Sequence, residues 1–179
     1  IGATTSPIYW KDIAASTTAV GRRNLIFAKD YSEANYPGCK AVYGDTDSVF
    51  LKFDCRYKDG QKMTGMDAIY ESIRLCTKAS LEISNQLDHP HNLEFEKCIY
   101  PFILLSKKRY VGNYYTDFNE EFYTSSMGIV LKRRDNAPIV KHIYGGVVNI
   151  LLKYHLTEEF KKDYVSNPDM NIKKYMIKK

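Results

Sequence analysis

The chain has 179 residues, with 26 Lys and Arg against 21 Asp and Glu and a formal net charge of +5, so it can bury a core of its own and favours a polyanionic partner. Four widely spaced cysteines without a C-x-x-C pair argue against a zinc site or disulfide frame and for reduced, intracellular thiols. No signal-peptide pattern and no apolar run long enough to cross a bilayer occurs, so neither secretion nor a membrane partner is expected.

Over residues 13–33, alanines, threonines, Val20, Leu25 and Ile26 recur with helical spacing until Pro37-Gly38 ends the segment. Trp10 and Tyr9 are expected to pack against that helix. Next come two strand-like stretches, Ala41-Val42 and Val49-Phe50-Leu51, joined by Tyr43-Gly44-Asp45-Thr46-Asp47-Ser48. Gly44 can supply the positive backbone dihedral of a sharp reversal, so a hairpin is predicted. In extended chain the side chains of Asp45 and Asp47 point the same way, ~6–7 Å apart. They would repel by ~2–3 kcal/mol at an effective dielectric of 20, and a divalent cation would turn that cost into a gain. A calcium loop is excluded because Val49 occupies the next ligand position and no Gly follows.

A polar loop is predicted over 57–65 with Lys58-Asp59-Gly60 as its turn, then a second helix whose stripe is Ile69, Ile73, Cys76, Ile83 and Leu87. His89-Pro90-His91 ends it, and a helix-ending loop beside Pro is a poor place for a metal pair. Strands are predicted at 93–97, 100–106, 109–115, 121–125 and 128–131, with Asp117-Phe118-Asn119 as a hairpin turn. Alternation at 93–97 sets Glu94 and Glu96 on one face and Phe95 on the other. Lys107, Lys108 and Arg109 place three cations beside Tyr110, suited to phosphates and to a flat ring along a groove. Lys132, Arg133 and Arg134 form a second basic run just before a helical pattern that starts at Ala137 and carries Ile139, Val140, Ile143, Val147, Ile150, Leu151 and Tyr154. Gly145-Gly146 within it suggests close helix packing. A short helix capped by Thr157 is predicted last. The order gives an α+β fold: a mixed or antiparallel sheet backed by helices, then a separate helical piece.

The strings Y-G-D-T-D-S at 43–48, L-E-F-E-K at 93–97, Y-P-F at 100–102 and K-K-R-Y-x-G at 107–112, followed by the tract from Gly128 to Pro138, stand in the order they have in family B DNA polymerases. The whole chain resembles the rear of the palm and the start of the thumb of a delta-like member, and its opening, Gly2-Ala3-Thr4-Thr5-Ser6-Pro7, is similar to polymerases of large DNA viruses of algae and amoebae. That resemblance implies palm over residues 1–131 and an incomplete thumb over 132–179. It implies template-directed DNA synthesis with two Mg²⁺ ions, Asp47 as direct metal ligand, Asp45 as a supporting carboxylate and Glu96 near an additional metal position. Tyr43 would face the primer end. Lys107, Lys108 and Tyr110 would touch the primer–template duplex, and Arg133 and Arg134 would hold its backbone.

The family's other metal aspartate and its triphosphate-binding lysine would lie upstream of Ile1, so a fragment inactive by itself is expected. The implied partners are primer–template DNA, a deoxynucleoside triphosphate and, through regions outside this chain, a sliding clamp. The implied setting is the host nucleus or a cytoplasmic viral replication site. Two competing readings remain: a non-catalytic, DNA-binding polymerase remnant, and a D-x-D nucleotide-sugar glycosyltransferase, which would not need the two basic runs.

Overall fold

The structure, a computed structural model, describes residues 1–118, 121–132 and 136–153. The chain divides into two compact units, Ile1–Glu96 and Lys97–Lys179. The class is α+β as predicted, and among the described residues the strands form two antiparallel sheets, of two and three strands.

The first unit begins with α1 (Lys11–Asn35), two residues longer at each end than its apolar periodicity suggests. Tyr36 ends it: its backbone is extended and its N–H returns to the Ser32 carbonyl at 3.1 Å. Gly38 then adopts φ +76°, and a Cβ there would meet Asp54 Cβ at 2.7 Å, so only glycine lets the chain turn past Asp54 into the hairpin. That hairpin is β1 (Lys40–Asp45) against β2 (Ser48–Lys52), in register from Lys40 opposite Lys52 to Asp45 opposite Ser48. An irregularity between Ala41 and Tyr43 leaves Val42 exposed. The loop that follows is closed by the Tyr57 N–H on the Gln61 carbonyl and the Gly60 N–H on the Tyr57 carbonyl.

Helix α2 (Gly65–Ser84) buries Ile69, Ile73 and Ile83, with Ser80 on the same stripe. Each isoleucine removed from water contributes about 1.5–3 kcal/mol, enough to commit this face to the interior. Tyr36, Cys39 and Ala79 form a core with Tyr31, Leu51, Phe53 and Leu75 around it. All four cysteines are free thiols, and burial pushes those of Cys39 and Cys76 up to about 11. Trp10 and Tyr9 stay largely exposed at the start of α1, which corrects the expectation that they pack on it.

Two predicted strands are corrected. Residues 93–97 keep the alternating exposure of a strand but join no ladder among the described residues, and residues 128–131 run into a 3₁₀ turn, Val130–Lys132, instead of a strand. Gly128 at φ +63° explains the second case, because a left-handed residue ends the extended run.

The second unit is built on β3 (Cys98–Ser106), β4 (Arg109–Tyr115) and β5 (Tyr123–Met127), in that order across the sheet. The register of β3 shifts between Ile99 and Phe102 opposite Gly112. A Cβ at Gly112 would lie 2.3 Å from Ile99 Cγ2 and 2.7 Å from the Pro101 carbonyl oxygen. The glycine of K-K-R-Y-x-G therefore makes room for the bulge in its partner strand. Across β4 and β5, Asn113 is buried and accepts a hydrogen bond from Thr124 Oγ1 at 2.7 Å.

Val111, Ile129, Val148 and Leu152 form this unit's core, with Val148 and Leu152 supplied by α3 (Pro138–Lys153). Gly145 of α3 sits against Leu131, where a Cβ would come within 3.3 Å of Leu131 Cδ2, the close packing its small size predicts. No described helix is long and apolar enough to cross a membrane. Asn119, Tyr154 and the helix predicted from Thr157 lie outside the described residues.

Candidate active site and nucleic-acid interface

The two aspartates sit at the tip of the β1–β2 hairpin, but not as alternate residues of one strand. Asp45 is the last residue of β1 and half-buried, whereas Asp47 lies in the turn and is exposed. The positive dihedral belongs to Thr46 (φ 48°), not to Gly44, which is held in β1 opposite Val49. This corrects the turn geometry inferred from sequence. Thr46 is β-branched, so a left-handed backbone is costly there. The turn is tied down on three sides. The Asp47 N–H donates to the Asp45 carbonyl, Ser48 Oγ donates to that same carbonyl at 3.1 Å, and Thr46 Oγ1 donates to Asp45 Oδ1 at 3.2 Å. The consequence is a short loop with a braced backbone, in which Thr46 holds the Asp45 carboxylate and both aspartates stand at one end of a two-stranded sheet.

Tyr43 lies one turn of pleat back from Asp45 on the same face of β1. Its ring packs against its cross-strand partner Phe50 at 5.1 Å between centroids, so it is held in place by the hairpin itself.

Glu94 and Glu96 are both exposed, with Leu93 and Phe95 more sheltered between them. The tract is anchored by Ser84, the last residue of α2. Ser84 Oγ donates to the Leu93 carbonyl and accepts from the Leu93 N–H, each at 2.8 Å. One hydroxyl thus does for Leu93 what a neighbouring strand would do, which explains a strand-like segment without a ladder. Asn92 Nδ2 donates to Glu94 Oε1 at 2.8 Å. Among the described residues no three His, Cys, Asp or Glu side chains converge where they could hold a metal ion, so Glu96 is not gathered with Asp45 and Asp47 into one such group. His91 is occupied locally, its Nδ1 lying 3.0 Å from the Asp88 carbonyl oxygen.

In the second unit, Lys107 and Lys108 form the two-residue turn between β3 and β4, with Ser106 opposite Arg109 in the register. Both lysines and Arg109 are exposed. Lys108 has φ 60°. Tyr110 is different: it is 7% exposed and its ring packs on Phe102 at 5.6 Å between centroids. Further along the same sheet, Lys97 Nζ lies 5.2 Å from the centre of the Tyr114 ring, which stacks on Tyr123. Arg133 and Arg134 lie outside the described residues.

The model of DNA polymerase family B matches residues 1–178 of the chain. The chain belongs to DNA polymerase family B. This family B chain is 53% identical over 152 residues to a DNA polymerase of Pyramimonas orientalis virus, covering 85% of the chain and 12% of that protein. It is 39% identical over 112 residues to a DNA polymerase of Acanthamoeba polyphaga mimivirus, covering 63% of the chain and 6% of that protein. To the DNA polymerase delta catalytic subunit of Schizosaccharomyces pombe it is 34% identical over 149 residues, or 79% of the chain and 13% of the subunit. The family B chain is thus similar both to viral polymerases and to delta catalytic subunits, as its motifs imply, and it spans about an eighth or less of each of these relatives.

Two features of this family B chain, the Ser84 anchor and the left-handed backbone of Gly128, leave no clear local signal in its sequence. A serine at a helix end reads only as a polar terminus, and its bond to a residue nine positions on has no local signature. Gly128 was legible only as a residue before an apolar run, and the carbonyl it approaches belongs to another hairpin.

Proposed function

We propose that the chain is the rear of the palm, residues 1–131, and the start of the thumb, residues 132–179, of a DNA-directed DNA polymerase that carries out template-directed synthesis inside an infected cell, in the nucleus or at a cytoplasmic replication site. The observation that carries this reading is the braced Asp45-Thr46-Asp47 turn in a chain matched over residues 1–178 by the family B model. The donor set fits hard divalent cations, since Asp45 and Asp47 offer carboxylate oxygens, the ligands Mg²⁺ takes. When bound, two Mg²⁺ ions would activate the primer 3′-hydroxyl and neutralise charge on the triphosphate and the departing pyrophosphate. Asp47, exposed in the turn, would be the direct ligand and Asp45, held by Thr46, would support it; an aspartate from elsewhere in the polymerase would complete the set, and Glu96 would serve an additional metal position.

The chain's own residues do the positioning. Tyr43, seated on Phe50, faces the primer end. Lys107 and Lys108, exposed on a two-residue turn, neutralise phosphates of the primer–template duplex, with Tyr110 supporting that surface from inside the sheet; Arg133 and Arg134 are proposed as further contacts to the duplex backbone. A deoxynucleoside triphosphate is the second substrate, and a sliding clamp joins through regions outside this chain.

The test is Asp47→Ala in the polymerase that carries this chain. Primer extension should be abolished while duplex binding survives, because the substitution removes a metal ligand and no group that touches phosphate. Near-normal extension would sink the assignment. A wild-type polymerase that binds duplex but never extends it would leave the remnant reading in its place.

A further inference from the structure

Gly128 follows the last residue of β5 and lies against the turn that carries Lys107 and Lys108. Its φ is +63°, and a Cβ built there would stand 2.1 Å from the Lys108 carbonyl oxygen, 3.2 Å from the Lys108 carbonyl carbon and 3.3 Å from Arg109 Cγ. The first two are backbone atoms of the turn, so no side-chain rotation can relieve the overlap. The contact also runs in the other direction, since Arg109 Nε donates to the Gly128 carbonyl at 3.4 Å. Lys108 has its own left-handed backbone, φ 60°, a conformation that a lysine holds only where its surroundings over-determine it. Gly128 is part of those surroundings. Its neighbour Met127 pairs with Tyr110 in the sheet, which fixes residue 128 beside the turn from one side, and Ile129, 3% exposed in the core of this unit, fixes it from the other.

We infer that Gly128 is a positioning residue for the phosphate-contacting turn: it holds Lys107 and Lys108 in their DNA-facing pose without touching DNA, by seating the Lys108 carbonyl in the space that a side chain would fill. The inference rests on the duplex-binding reading of those lysines. A side chain at 128 must push the turn outward, and both ammonium groups move with it while every charge is kept. That gives the residue a signature unlike ordinary destabilisation, because the number of phosphates neutralised sets the salt dependence of binding, with a slope of log K against log salt of about 0.9 per phosphate on duplex DNA.

The experiment measures duplex affinity against salt for the polymerase carrying this chain as wild type and in four variants. Gly128→Ala should lower the slope by about 0.9 for each phosphate that is no longer neutralised, as should the double variant Lys107→Ala, Lys108→Ala. Gly128→Ala added to that double variant should lower it no further, since the ammonium groups it acts through are gone. Gly60→Ala is the control: Gly60 has φ +86° but nothing within 4 Å of a Cβ, so it introduces the same backbone cost in open space and should leave the slope unchanged. A Gly128→Ala slope equal to wild type overturns the inference, and so does a fall that Gly60→Ala reproduces. An unchanged slope in the double lysine variant instead removes the duplex-binding reading, and the inference falls with it. If Gly128→Ala does not fold, Gly128→Asn takes its place, since asparagine tolerates a left-handed backbone and still carries the Cβ that meets the Lys108 carbonyl. Its slope should fall, and an unaltered slope overturns the inference.

Discussion

Tyr36, the residue that closes α1, donates its hydroxyl to Glu82 Oε2 on α2 at 2.7 Å, and Tyr31, one turn earlier, reaches the same oxygen at 3.4 Å. Two phenols and one carboxylate therefore join helices that are separated in sequence by the whole β1–β2 hairpin segment. Burial first, and then the Glu82 hydrogen bond and charge, raise the Tyr36 phenol above its ordinary value of 10.0. The Tyr36 hydrogen bond, as the largest cause, holds the Glu82 carboxyl below its ordinary 4.5.

The signs of the two shifts define a pH window. A phenol raised on folding contributes stability that is fully present below pH 10 and is lost as pH rises beyond it. A carboxyl lowered on folding contributes stability that is present above pH 4.5 and is lost as pH falls below it. Tyr36→Phe removes the shared bond and should flatten both flanks, while lowering the plateau between them. Denaturant unfolding across pH 3 to 11, in steps of about one unit, checks this. Parallel wild-type and variant curves would show that the pair does not titrate with folding.

Much of the fold was legible in the sequence wherever one period dominated. The stripe Ile69, Ile73, Ile83 is buried as the helical period requires, and 109–115 is a strand with the bounds its pattern gives. What failed depended on partners far away in the chain. The alternation at 93–97 reports exposure correctly, yet a ladder needs a neighbour, and Ser84 takes that role. At the hairpin tip the residue types pointed to a turn with two carboxylates, while the dihedrals did not follow residue preference. Thr46 takes the strained position with Gly44 available two residues before, because the strand register places Gly44 opposite Val49.

Gly112→Ala tests the accommodation of the β3 bulge. The new methyl would overlap Ile99 Cγ2 at 2.3 Å and the Pro101 carbonyl oxygen at 2.7 Å, and overpacking of this kind costs about 1–3 kcal/mol. Ile99→Ala in the same chain should recover only part of the loss, because the overlap with the Pro101 backbone remains. Equilibrium unfolding of the single and double variants measures both. Full recovery would mean that the side chain alone sets the limit.

Ser84→Ala tests the anchor of the glutamate tract. It leaves both the N–H and the carbonyl of Leu93 without the hydroxyl they share, at a cost of about 1–3 kcal/mol. Amide exchange at Leu93 should accelerate by at least tenfold, the equivalent of about 1.4 kcal/mol, while exchange at the buried Ile73 and Ile83 changes only as far as global stability does. Equal acceleration at all three positions would mean that the serine supports the helix rather than the tract.

Thr46→Gly separates the backbone of the Asp45–Asp47 turn from its hydroxyl. A β-branched residue at φ 48° stores about 1–3 kcal/mol of strain, and glycine removes most of it at a cost of under 1 kcal/mol in unfolded-state entropy. The hairpin should therefore be as stable as wild type or more so. The same change deletes the Thr46 Oγ1 bond to Asp45 Oδ1 and frees a turn whose rigidity orients both carboxylates. Misorientation of a catalytic group lowers rate without lowering ground-state affinity for the duplex. Primer extension by the polymerase carrying this chain should slow on the order of tenfold, or ~1.4 kcal/mol in activation free energy, with duplex affinity and its salt slope unchanged. A variant that is less stable but extends at the wild-type rate would show that Thr46 serves the fold of the hairpin and not the geometry of Asp45 and Asp47.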